Sequence, residues 1–155
     1  MDISKVLFNE ILADLKIGRS ADSSDDLQVI TEQEGDIPGI KILSLNGFDF
    51  EIISINEVIL GIQYDFTYDN PEELFFKTND ETLFLHQNLV SKNVEDFLVR
   101  NKINFDLFES DQEPFTLQLK NSNSKFYFDN HHQLFKISVF DMELYHRIIK
   151  DKSPY

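Results

Sequence analysis

Four histidines and a large surplus of carboxylates are the side chains that could do chemistry in this sequence. The histidines are His86, His131, His132 and His146. His131 and His132 are adjacent, next to Asp129 and Asn130, between two alternating apolar runs. Read on their own they make a polar turn whose neighbouring side chains point apart. A metal site there would need the fold to bring further ligands, such as Asp129 or His86. His146 follows Tyr145 in a helical pattern, where a partly exposed histidine is ordinary. The carboxylates are too numerous for any one pair to indicate acid–base work. Asp22, Asp25 and Asp26 suit helix capping, and they lack the central Gly and terminal Glu of a calcium loop. There is no cysteine and no Gly-x-Ser-x-Gly elbow, and the serines fall in loop clusters, so a nucleophile has no obvious seat. Gly18, Gly35, Gly39, Gly47 and Gly61 are too scattered to cradle a phosphate. The expectation is a protein that is not an enzyme and that takes no cofactor or metal.

Composition narrows the partners. The 155 residues carry 14 basic and 28 acidic side chains, a formal charge of −14. Nucleic-acid backbones and anionic membranes need clustered Lys and Arg, so both are disfavoured. A basic protein partner would be drawn in quickly by such a field, although acidity can also serve solubility alone. Apolar residues make up 41 % of the chain, and 15 residues are Phe, so an aromatic-rich core is expected. The length suits a single domain over residues 1–155. The first residues lack the basic-then-apolar order of a signal peptide, and no apolar run reaches membrane-spanning length. A soluble, cytoplasmic protein is the simplest expectation.

The elements that must position these side chains follow from periodicity. Ile3, Val6, Leu7, Ile11, Leu12 and Leu15 recur at three- and four-residue spacing and predict a helix over residues 2–16, stopped at Gly18. The cap formers of 20–26 predict a short helix carrying Leu27, Val29 and Ile30. A strand over 40–45 leads into the turn dipeptide Asn46-Gly47. Residues 46–66 then read as a hairpin broken at 54–57. Two short apolar runs, 74–77 and 82–85, flank the turn Asn79-Asp80 as a second hairpin. A helix is predicted over 91–98, a strand near Phe105 and Phe108, and three alternating strands on Phe115–Leu119, Phe126–Phe128 and Phe135–Val139. Met142, Tyr145, Ile148 and Ile149 predict a C-terminal helix.

The pattern is written twice. Leu43-Ser44-Leu45 matches Leu117-Gln118-Leu119, Phe48-x-Phe50 matches Phe126-x-Phe128, and Ile59–Tyr64 matches Leu134–Val139. The predicted fold is therefore α+β, a mainly antiparallel sheet with helices at both termini. It is built from two similar helix-plus-three-strand halves, pseudo-repeats of about 17–66 and 89–141.

The succession Ile17-Gly18-Arg19-Ser20, a short acidic helix, Asn46-Gly47-Phe48-Asp49-Phe50 and then 58–66 resembles small bacterial immunity proteins of polymorphic and contact-dependent growth inhibition toxin systems. The resemblance implies an antitoxin that binds one cognate toxin domain and blocks its active site or substrate groove. Many such toxins are basic nucleases, which suits the acidic charge. The alternative is an acidic adaptor or subunit of a larger assembly without catalytic activity. A small hydrolase or ligand-binding domain would need a pocket that the sequence does not reveal. Within the chain, the segment 64–81 between the repeats is the best binding candidate. It holds Asp65, Asp69, Glu72, Glu73, Asp80 and Glu81 with Lys77 as its sole base, and it adds Tyr68 as an interface anchor.

Overall fold

The alternation of apolar and polar residues becomes one broad sheet. The computed structural model describes residues 1–21, 26–67, 73–111 and 113–151. In chain order the elements are α1 (Ser4–Asn9), β1 (Ile11–Leu12), β2 (Leu15–Lys16), β3 (Gln28–Thr31), β4 (Gly39–Leu45), β5 (Phe48–Ile55), β6 (Val58–Asp65), β7 (Leu74–Lys77), β8 (Thr82–Leu85), α2 (Ser91–Arg100), β9 (Phe105–Ser110), β10 (Glu113–Leu119), β11 (Ser124–Phe128), β12 (Leu134–Phe140) and α3 (Met142–Asp151). Eight strands form one sheet in the order β3-β4-β5-β6-β12-β11-β10-β9, and every neighbouring pair in it is antiparallel. The fold is α+β, with a mainly antiparallel sheet and helices near both termini.

Two meanders, β3 to β6 and β9 to β12, meet at their last strands. Each has four strands where the repeat pattern has three, the added ones being β3, predicted as a helix, and β9, predicted as a strand outside the pattern. The residue matching between the halves does not follow the ladders. Ile62 faces Ile52, and Ile137 faces Phe126. If Ile62 and Ile137 correspond, Phe126 corresponds to Ile52, and the two Phe-x-Phe pairs fall out of step.

The helix expected over residues 2–16 stops at Asn9. Glu10 takes a left-handed conformation, φ 60°, and its amide bonds the Val6 carbonyl at 3.1 Å. The chain then reverses through the small β1–β2 hairpin, with Ala13 also left-handed at φ 51°. Leu12 and Leu15 face each other in this hairpin and are both buried. Their three-residue spacing is met by a turn as well as by a helix, because either brings both to one side. The predicted short helix on Leu27, Val29 and Ile30 is instead strand β3, while residues 22–25 lie outside the described ones. Val29, Ile30 and Thr31 are β-branched, and pairing with β4 outweighs the cap signals before them.

The hairpin turns obey local chemistry. Asn46 and Gly47 both have positive φ, 51° and 82°, the conformation of a two-residue turn that matches strand twist. Asn56 and Glu57 repeat it at 50° and 62°, with a glutamate where glycine is favoured. The β7–β8 hairpin, α2 and α3 fall where the sequence predicts them. Asp141 starts α3, its Oδ1 accepting from the Leu144 amide at 2.8 Å.

One face of the sheet carries the core. Phe48, Phe50, Ile62, Tyr64, Phe126, Phe128, Ile137 and Val139 are buried on it. They pack in one cluster with α1, both small hairpins and α2 through residues such as Leu7, Leu15, Phe76, Val94 and Phe97. Phe76 lies 5.3 Å from Phe97, 5.1 Å from Phe8 and 6.4 Å from Phe126, centroid to centroid. Among the described residues, no helix is long and apolar enough to cross a membrane.

Candidate functional site

Strand side chains alternate, so the residues between the core positions form the opposite face of the sheet. One register row there runs across all eight strands: Gln28, Ile42, Glu51, Gln63, Ser138, Lys125, Gln118 and Asp106. The Gln63 amide donates to the Glu51 carboxylate. In the next row on the same face, Asp65 stands opposite Lys136, Lys136 opposite Tyr127, Tyr127 opposite Thr116, and Thr116 opposite Phe108.

These two rows make a groove of about 520 Å³ on the β9–β12 half. Phe108, Tyr127 and Phe135 supply its aromatic lining, Lys125 and Lys136 its charge, and Thr116 and Gln118 its neutral polar groups. The Lys136 Nζ lies 4.6 Å from the Tyr127 ring centroid, a cation–π contact. Tyr127 and Phe135 are 6.3 Å apart. The ion pairs among the described residues are Lys41–Glu57, Lys92–Asp96, Arg100–Glu81 and Lys120–Asp106. Neither groove lysine is in one. Lys125 faces Ser138 and Tyr127 faces Lys136, so the two lysines are diagonal neighbours, with Cα atoms about 7–8 Å apart by sheet geometry. The sequence reading passed over both. Their signal was their place in strict alternation with Phe126, Phe128 and Ile137, which puts them on the face away from the core.

The residues expected to bind a partner are spread over two parts of the fold. Asp65 ends β6 on the open face, and its Oδ1 accepts from the Thr67 amide at 2.7 Å and from the Thr67 hydroxyl. Glu73 is exposed, and its carbonyl accepts from the N-terminal ammonium. Asp80 is exposed in the β7–β8 turn. Glu81, half-buried beside it, accepts from Arg100 Nε at 3.0 Å and from Asn101 Nδ2 at 2.5 Å. Lys77 is therefore not the sole counter-charge of this segment, since α2 brings Arg100 to it from far along the chain. Tyr68, Asp69 and Glu72 lie outside the described residues. Tyr64, Phe66 and Phe76 are core.

The histidine turn is built by Asp129, whose Oδ1 accepts from the His131 and Gln133 amides at 2.8 and 2.9 Å. His132 lies 5.0 Å from the Phe115 ring, with its Nδ1 3.3 Å from Ser91 Oγ. Among the described residues, no three His, Cys, Asp or Glu side chains are grouped to hold a metal ion. Compared with protein-family models, curated proteins and solved structures, this chain has no match.

Proposed function

We propose that the chain is an immunity protein, a non-catalytic binder that neutralises a basic toxin domain, such as a nuclease, through its acidic surface. The observation that carries this reading is where the charge sits. Acidic side chains outnumber basic ones 28 to 14, and among the described residues no carboxylate is buried. The negative field therefore faces solvent, where it can steer a basic partner and set the on-rate. Exposed Glu73 and Asp80, with Tyr68, Asp69 and Glu72 between repeats, form the proposed contact. Asp65 and Glu81 are held by Thr67 and Arg100 and act at its rim.

The test is binding and growth protection with a toxin domain encoded beside this chain. The variant Tyr68→Ala, Asp69→Ala, Glu72→Ala, Glu73→Ala should keep the fold and lose protection. Truncating a central acidic anchor that faces Lys or Arg costs on the order of 2–5 kcal/mol of binding. A folded variant that protects as well as the parent would exclude this surface. Failure of the parent chain to bind such a domain would exclude the reading itself.

We further propose that the two meanders descend from one unit. Their mirrored strand order and the pairing of Gln63 with Ser138 at the junction support this. A rotation about that pair should lay β3–β6 on β9–β12. A best superposition in any other register would reject it.

A further inference from the structure

The open face holds a feature that the inhibitor reading does not use. In a chain with charge −14, Lys125 and Lys136 stand side by side in one groove, outside every ion pair among the described residues. The nearest ladder carboxylate, Asp65, is turned to Thr67, while Lys136 lies over Tyr127. Asp106, at the far end of the Lys125 row, is paired with Lys120. Glu51, which accepts from Gln63, lies three strands away from Lys125. Two adjacent cations repel each other, and an anion placed between them relieves that repulsion.

The rest of the lining limits what carries the anion. Tyr127, Phe135 and Phe108 offer ring surface, which suits a flat apolar body, and Thr116 and Gln118 are polar. The volume of about 520 Å³ is that of a small-molecule pocket. A polyanion such as nucleic acid would meet the negative field of the whole chain. We infer that this groove binds a small planar organic anion, an aromatic ring bearing a phosphate or carboxylate, with the head between Lys125 and Lys136 and the ring among Phe108, Tyr127 and Phe135. This site is independent of the proposed toxin contact and stands or falls without it.

The experiment is amide NMR titration of the full chain with four probes: AMP, adenosine, inorganic phosphate and 2-naphthoate. AMP or 2-naphthoate should shift the amides of Thr116, Lys125, Tyr127 and Lys136, and the tighter of the two identifies the head group. Adenosine and inorganic phosphate should each bind at least about tenfold more weakly than AMP if the phosphate is the head, the scale of one charge-assisted hydrogen bond. Lys125→Ala with Lys136→Ala should weaken binding by about tenfold or more, and Tyr127→Leu should weaken it while leaving both cations. Peak dispersion checks the fold of each variant. No shift with either aromatic anion, shifts centred away from the groove, or equal affinity in both variants would overturn the inference.

Discussion

Gln63 and Ser138 face each other in the β6–β12 ladder, the seam where the two meanders become one sheet. They lie on the side away from Tyr64 and Ile137, in the middle of the open-face row that crosses all eight strands. The seam joins segments some 75 positions apart in the sequence, so its packing tests whether the sheet is continuous in solution.

Two rungs from that pair, Gly61 faces Phe140. A Cβ on Gly61 would stand 2.7 Å from Phe140 Cδ2 and 3.0 Å from the Val139 carbonyl oxygen. Gly61→Val should destabilise the protein by about 1–3 kcal/mol through overpacking. Adding Phe140→Ala should remove part of that loss, a non-additivity readable by urea denaturation of the two single variants and the double. Simple additivity would mean that the two residues do not press on each other.

Ser124 is fully buried, and its hydroxyl donates to the Leu7 carbonyl at 2.5 Å. That carbonyl is in the last turn of α1, where helical partners run out. Ser124→Ala should cost about 1–3 kcal/mol, because the acceptor stays buried without its donor. Hydrogen exchange should quicken in α1 more than in α2.

Phe76 ties the β7–β8 hairpin to α2 and the sheet. Phe76→Ala should cost about 3–5 kcal/mol in thermal or denaturant unfolding. Phe84 on the partner strand is 48 % exposed, and Phe84→Ala should cost far less.

The two hairpin turns make a matched pair. Gly47→Ala places a side chain at φ 82° and should lose about 1–2 kcal/mol. Glu57→Gly places glycine at φ 62°, where it is favoured, and gives up one partly exposed ion pair with Lys41 worth about 1 kcal/mol. Melting temperatures should therefore fall clearly for the first variant and little or not at all for the second. A large fall for Glu57→Gly would show that its contacts outweigh its backbone.

Strands with strict alternation were legible from the sequence, because one buried face imposes a period of two that no other element shares. That covers β5, β10 and β11, the aromatic core on them, and the Asn46-Gly47 turn, whereas β6 buries four residues in succession and β12 puts Leu134 rather than Phe135 into the core. The C-terminal helix was legible from the helical spacing of Met142, Tyr145, Ile148 and Ile149, while its cap Asp141 was passed over. In the first 31 residues only the helix α1 was legible, and in part. Leu12 and Leu15 satisfy a helix and a hairpin alike, and β3 is made a strand by pairing with β4. The pairing of β6 with β12 was also beyond local pattern, since nothing in either strand names its partner. That pairing sets Asp65 opposite Lys136, and the β11–β12 ladder puts Lys125 beside Lys136. α2 brings Arg100 to Glu81 in the same way. The acidic excess is a property of the composition, but which charges are compensated was decided only when distant strands and helices met.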